Sequence, residues 1–169
     1  ILSNEETVKL DATPAGRELY KQLGFKDEYQ ILRMQNISTV MVNINSTATS
    51  LKKRDLLKII AADAIVFGAN REALLQWFLK GANEFSFIIN ENDSGIGYCV
   101  GRRGYRFNQI GPVVANNIGE AKQLVAAALN NYGTKPVIID ALLHNSEWID
   151  WLKDIGFVEQ RTFTRMYKG

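Results

Sequence analysis

Apolar positions change their spacing several times along this chain, and each change marks an element. Leu56, Ile59 and Ile60, then Leu74, Leu75, Phe78 and Leu79, recur every three or four residues, so residues 51 to 67 and 70 to 80 predict two helices, interrupted at Phe67-Gly68-Ala69-Asn70. Phe85-Ser86-Phe87-Ile88-Ile89 and Ile96-Gly97-Tyr98-Cys99-Val100 flank a turn signal at Asn92-Asp93-Ser94-Gly95 and read as a β-hairpin. A second turn around Arg102-Arg103-Gly104 leads into a third antiparallel strand over residues 107 to 115. Ile118, Ala121, Leu124, Val125, Ala128, Leu129 and Tyr132 then keep one helical face, ending at Gly133.

Residues 8 to 34 and 137 to 166 carry one pattern twice. Val8-Lys9-Leu10-Asp11-Ala12 and Val137-Ile138-Ile139-Asp140-Ala141 predict strands, with Asp11 and Asp140 marking where each leaves its sheet. A helical stretch follows in each copy. Thr13 reads as its N-cap in the first, with Pro14 at the first helical position, and Asn145 is the matching cap in the second. Gly24-Phe25 and Gly156-Phe157 end the helices, the glycines where φ > 0 is required and the phenylalanines where the chain re-enters the core. A final extended stretch then reaches Arg33-Met34 and Arg165-Met166, with Phe to Arg spaced eight apart in both.

Residues 51 to 169 thus read ααβββαβαβ, and a final strand that is split or curled between Phe157 and Tyr167 is left open. Residues 1 to 36 are expected to be the closing strand, helix and strand of a preceding, truncated copy. Residues 37 to 50, rich in Asn, Ser and Thr around a short β-like Val40-Met41-Val42, are the expected linker.

Twenty Lys and Arg against eighteen Asp and Glu leave a net charge of +2, too small to point to nucleic acid as a partner. No apolar run approaches the roughly 20 residues that span a bilayer, so no membrane segment is predicted and a cytoplasmic location is expected. One cysteine, Cys99, and one histidine, His144, argue against a disulfide or a zinc site, and no metal is expected. The opening Ile1-Leu2-Ser3-Asn4 has no signal pattern and reads as the interior of a longer polypeptide.

The order ααβββαβαβ, closed by a helix ending in Gly-Phe before a last strand, resembles the GNAT superfamily of acyl-CoA-dependent N-acetyltransferases. Leu19-Tyr20-Lys21-Gln22-Leu23-Gly24-Phe25 is similar to the family's closing helix, with Thr13 where the family usually has Asn. In the second copy Asn145 holds the Asn position, but Leu152 stands where the family has Tyr. The chain resembles the end of a tandem-domain member, with roughly 80 to 90 residues missing upstream.

The resemblance implies an α/β (α+β) fold with a mixed, mostly antiparallel sheet flanked by helices, and acetyl-CoA as co-substrate. It implies a small-molecule or peptide amine as acceptor, and leaves a homodimer open. It makes Tyr20 the catalytic acid, since a phenol with a pKa of about 10 can protonate a leaving thiolate. It places coenzyme contacts at Thr13 and Asn145, on the backbone of Val113, Val114 and Ala115, and at Gly119 in the phosphate loop. That loop departs from the family pattern: Asn116 stands where Arg or Gln is expected, and Glu120 in the first turn of the helix would repel phosphate. Two functions follow: an acetyltransferase whose chemistry lies in the upstream domain, or a catalytically degenerate ligand-binding or dimerisation module.

The remaining candidates have structural readings. Trp77, Trp148 and Trp151 fall at core spacing on helices, Cys99 reads as a small buried hydrophobe, and His144 completes the turn before Asn145. Asp11 and Asp140 as general bases are the lesser reading. Arg102-Arg103-Gly104-Tyr105-Arg106 reads as a solvated turn that could also meet an acidic ligand or nucleic acid.

Overall fold

The computed structural model describes residues 7–38, 41–91, 95–131 and 135–169. They form β1 (Val8–Ala12), α1 (Pro14–Gln22), β2 (Lys26–Asn36), β3 (Thr49–Ser50), α2 (Leu56–Phe67), α3 (Glu72–Gly81), β4 (Phe87–Glu91), β5 (Gly95–Arg102), β6 (Asn108–Val114), α4 (Ile118–Asn131), β7 (Val137–Leu142), α5 (Ser146–Asp154) and β8 (Val158–Lys168). From α2 onward this is the expected ααβββαβαβ. The predicted turn at 92–94 and the helix end at Tyr132-Gly133 lie outside the described residues. Two units gather these elements, residues 36–138 and residues 1–35 with 139–169, so β7 begins in one and ends in the other.

Residues 36–138 build an antiparallel ladder in the order β6-β5-β4-β3. Alternation along β4 and β5 sends successive side chains to opposite faces. Ile88, Tyr98 and Val100 meet Ile59 of α2 and Leu75 and Phe78 of α3 in one buried cluster. Cys99 points the other way, where its thiol reaches the carbonyls of Phe85 and Leu124 at 3.4 and 3.5 Å and burial raises its pKa to about 12. It is inert packing, as expected.

Trp77 is a correction to its expected core role. It is 54 % exposed, because α3 buries the face carrying Leu75 and Phe78 and leaves Trp77 on the flank. Trp148 is buried and Trp151 half-buried, stacked at 4.9 Å. Met41 and Val42 do not form the expected short strand, and Val40 lies outside the described residues. Instead the Asn130 side chain accepts from the Val42 N–H and donates to its carbonyl, both at 2.8 Å, so one amide supplies the pairing a neighbouring strand would give.

The other unit orders its strands β1-β8-β2-β7. Each strand, helix and strand segment sends its second strand into the other: β8 lies between β1 and β2, and β2 lies between β8 and β7. The register is symmetric. Ile31 and Phe163, each six residues after its Gly-Phe phenylalanine, are directly opposed. Tyr29 opposes Arg165 and Arg33 opposes Arg161, and the ladder shifts at Glu28 and at Gln160, equivalent positions of the two strands. Of the two forms open to the final strand, β8 is not split: it runs unbroken from Val158 to Lys168, with its register against β2 shifting at Gln160.

Asp11 and Asp140 do not mark strand exits, since β1 runs on to Ala12 and β7 to Leu142. Both stay within the sheet because each meets an arginine of the other segment. Arg165 holds Asp11 through Nε at 2.5 Å and Nη2 at 3.0 Å, and Arg33 holds Asp140 through Nε at 2.6 Å and Nη2 at 2.7 Å. Such two-point guanidinium–carboxylate pairs fix orientation as well as adding energy. Gly24 at φ +87° and Gly156 at φ +93° end the helices in the left-handed region, as their positions predict. Phe157 is buried, whereas Phe25 is only half-buried.

Candidate active site

The turn from β6 into α4 carries the predicted coenzyme contacts Val113, Val114, Ala115 and Gly119. Val113 and Val114 oppose Cys99 and Tyr98, but the register slips between Ile110 and Val113, where Gly111 and Pro112 intervene. Pro112 has no N–H to give a ladder, so an extra residue bulges out of β6 just before Val113. The three residues Val113, Val114 and Ala115 are half-buried.

Beyond them the chain saturates itself. Glu120, only 3 % exposed, turns its carboxylate back over the start of α4. Its Oε2 accepts from the Asn116 N–H at 3.1 Å and from Asn116 Nδ2 at 3.0 Å, and its Oε1 accepts from Asn117 Nδ2 at 3.0 Å. Asn117 Oδ1 in turn accepts the Glu120 N–H at 2.9 Å as an N-cap, while the Glu120 carboxylate reaches back one residue further, to the Asn116 N–H. The negative charge that a helix N-terminus attracts is thus already supplied by the protein. Gly97 permits it: a Cβ there would stand 3.0 Å from Glu120 Oε2.

α1 holds Thr13 and Tyr20. Thr13 Oγ1 accepts the Gly16 N–H at 3.2 Å, so this side chain caps the helix, and Tyr20 packs edge-on to Phe25 at 5.6 Å. Gly16 lies between them, with Thr13 Oγ1 at 3.3 Å and the Tyr20 ring at 3.5 Å from where a Cβ would be, so all three share one helix face. Tyr20 is half-buried. On α5 the Asn145 Oδ1 accepts the Trp148 N–H at 3.1 Å, and Leu152, at the position equivalent to Tyr20, is sealed in the core. Thr13, Tyr20 and Asn145 therefore stand in one unit, and Val113, Val114, Ala115 and Gly119 in the other.

Sequence reasoning missed a buried network between α2, α3 and β5. Asp63, 1 % exposed, receives Arg71 Nε at 2.9 Å, Arg71 Nη2 at 2.5 Å and the Tyr98 hydroxyl. Burial alone would raise the Asp63 pKa, but hydrogen bonds from Arg71 and Tyr98 outweigh it and hold the carboxyl below its ordinary range. Burial first, then Asp63, drives the Tyr98 hydroxyl well above its own. A signal was present, an aspartate in the middle of a helix whose one other charged residue is Lys58. No described helix is long and apolar enough to cross a membrane, and no group of three or more His, Cys, Asp or Glu that could hold a metal occurs among the described residues.

Comparison with known proteins gives this geometry a family. Holothin acyltransferase of Pseudoalteromonas sp. (strain SANK 73390) is 31% identical over 168 residues, which is 98% of this chain and 57% of that protein. YitH of Bacillus subtilis (strain 168), an uncharacterized N-acetyltransferase, is 26% identical over 153 residues, 89% of this chain and 54% of its own. A solved Pyrococcus horikoshii protein superimposes with a TM-score of 0.71 at 24% identity, over 97% of this chain and 53% of that one. The GCN5-related N-acetyltransferase of Sphaerobacter thermophilus gives 0.63 at 19%, over 96% and 59%. The chain spans about half the length of these relatives. A family model for an acetyltransferase (GNAT) domain matches residues 59–169, from the first turn of α2 through β8, and the chain belongs to the GNAT acetyltransferase family.

Proposed function

We propose that the protein containing this chain is an acyl-CoA-dependent N-acetyltransferase, with acetyl-CoA as co-substrate and an amine of a small molecule or peptide as acceptor. In this reading residues 1–36 are the closing segment of a first GNAT domain, 37–50 a linker and 51–169 a second domain. The symmetric register about Ile31 and Phe163 and the reciprocal Arg33–Asp140 and Arg165–Asp11 pairs support a duplicated unit. The name of the Pseudoalteromonas relative attaches acyl transfer to holothin, which supports the reaction class.

The observation that carries the reading is the contrast at one repeat position, Tyr20 in the first copy and a core-sealed Leu152 in the second. Among the described residues no side chain engages the Tyr20 hydroxyl, so its Oη is available to hold and deliver a proton. Acetyl-CoA supplies the thioester that the amine attacks. In the second domain the fit is partial: the bulged end of β6 leaves Val113, Val114 and Ala115 suited to the amides of a pantetheine arm, but a pyrophosphate is disfavoured at α4, where the Glu120 carboxylate already places a negative charge and takes the Asn116 N–H and both Asn side-chain amides. Thr13 and Asn145 use their side-chain oxygens as caps, so they shape the helix entries from which a coenzyme would be met.

That same occupied terminus favours the second reading for residues 51–169 alone, a non-catalytic module. Two experiments separate the readings. Titration calorimetry of this chain with acetyl-CoA is expected to show no binding in the micromolar range, and tight one-to-one binding would refute the degenerate second domain. In the intact protein Tyr20→Phe is expected to lower kcat by about 100-fold or more with KM little changed. Unchanged turnover would remove Tyr20 from the chemistry.

A further inference from the structure

A small pocket, of about 90 Å³, opens between α3 and the β5–β6 turn, lined by Trp77, Phe78, Gly81, Gly101, Arg102 and Arg103. We propose that it binds a small organic carboxylate, whose apolar body lies against Trp77 and whose charge is met by Arg102.

The shape argument begins with two glycines. A Cβ on Gly81 would meet nothing within 4 Å, so the absence of a side chain leaves that wall open. Gly101 cannot be replaced cheaply, since a Cβ would stand 2.6 Å from the Gln109 carbonyl and 2.7 Å from Phe85 Cβ. Gly81 therefore leaves open space at the pocket, whereas Gly101 is bare because Gln109 and Phe85 fill the place of its side chain. Trp77 is an exposed indole set edge-on to buried Phe78 at 5.2 Å, an apolar plate along the pocket wall. Drug-sized ligands occupy roughly 300 Å³ or more, so this space admits a fragment and excludes a nucleotide.

The charge argument selects an anion. Arg102 Nε donates to Gln109 Oε1 at 2.9 Å, a neutral partner that orients the guanidinium without cancelling its charge. Its two terminal nitrogens have no partner among the described residues and form a planar pair of donors, the geometry a carboxylate accepts. Arg103 is held by Glu84 at 2.6 Å, and Arg106, exposed in the same turn, has no acidic partner among the described residues. Arg102 and Arg106, without acidic partners among the described residues, leave the turn positive. The pocket stands at the Gln109 end of β6, five residues or roughly 17 Å along the strand from Val114.

The test is a titration of the 169-residue chain at low ionic strength, where exposed charges are least screened. Sodium benzoate is the probe, read by calorimetry and by the indole N–H signal of Trp77. Benzamide, the uncharged ring, and inorganic phosphate, the charge without a ring, are run beside it. Benzoate is expected to saturate with a dissociation constant of about 0.1 to 1 mM, with benzamide and phosphate each at least ~10-fold weaker. Arg102→Gln and the pocket-filling Gly81→Leu are each expected to weaken benzoate ~10-fold while circular dichroism stays unchanged. If either variant unfolds, Trp77→Ala at its exposed position gives the same reading. Equal binding of benzoate and benzamide, wild-type affinity in folded Arg102→Gln, or a single-stranded oligonucleotide that binds and is not displaced by benzoate would overturn the proposal.

Discussion

Arg71→Ala is expected to be among the most damaging single changes in residues 36–138, by a mechanism that pH exposes. It removes both guanidinium bonds to Asp63 and the stack of Arg71 on the Phe67 ring at 3.8 Å, leaving a carboxylate that is 1 % exposed with only the Tyr98 hydroxyl. Hydrogen bonds to a charged group contribute about 1.5 to 3 kcal/mol each, and breaking a buried pair on one side costs about 3 to 5 kcal/mol in all. In the wild type the folded-state pKa of Asp63 is depressed, so its contribution is fully present above the unfolded value of about 3.9 and is lost as pH falls through the folded value. In the variant burial raises that pKa, and protonation relieves the orphaned charge. The gap between the two proteins should therefore be widest near neutral pH and shrink toward pH of about 3 to 4. Urea unfolding at both pH values, followed by tryptophan fluorescence and far-UV circular dichroism, measures it. A loss below about 1 kcal/mol at neutral pH, or a gap that does not change with pH, would refute the reasoning.

Two further outcomes are expected. Glu120→Gln removes the charge from the start of α4 and leaves one Asn amide facing another donor, so stability should fall by about 1 to 3 kcal/mol in urea unfolding; an unchanged midpoint would mean that the carboxylate does not cap the helix. Arg33→Ala and Arg165→Ala each break one two-point pair at equivalent strand positions, half-buried for Arg33–Asp140 and with Asp11 exposed for Arg165–Asp11. Their losses should be similar, about 1 to 2 kcal/mol each by the same assay, and a difference beyond about 1 kcal/mol would show that the two sites are not energetically equivalent.

Much of the candidate site was legible as positions and little of it as contacts. Thr13 and Asn145 were readable as caps because a cap bonds an N–H two or three residues away, so the sequence neighbourhood contains both partners. Gly24 and Gly156 were readable for the same reason, since a left-handed residue closes its own helix. The buried Glu120 was half legible: its place in the first turn was clear, but its turning inward depends on Gly97, which lies on β5. Trp77 was misplaced because helical spacing defines a face without saying how much of that face the sheet covers.

The sequence by itself determined the elements, their order, the two-fold recurrence of a strand, helix and strand segment, and the Phe-to-Arg spacing of eight that repeats within it. These are local regularities, written in periods of two and about 3.6 residues and in the conformational limits of glycine and proline. Only the tertiary structure decided that each segment gives its second strand to the other, and hence that Arg33 meets Asp140 and Arg165 meets Asp11. Strand partners are chosen by burial and register among residues more than a hundred positions apart, and no spacing along the chain encodes that choice. The same exchange turned two aspartates that looked like the ends of strands into ion pairs inside a sheet.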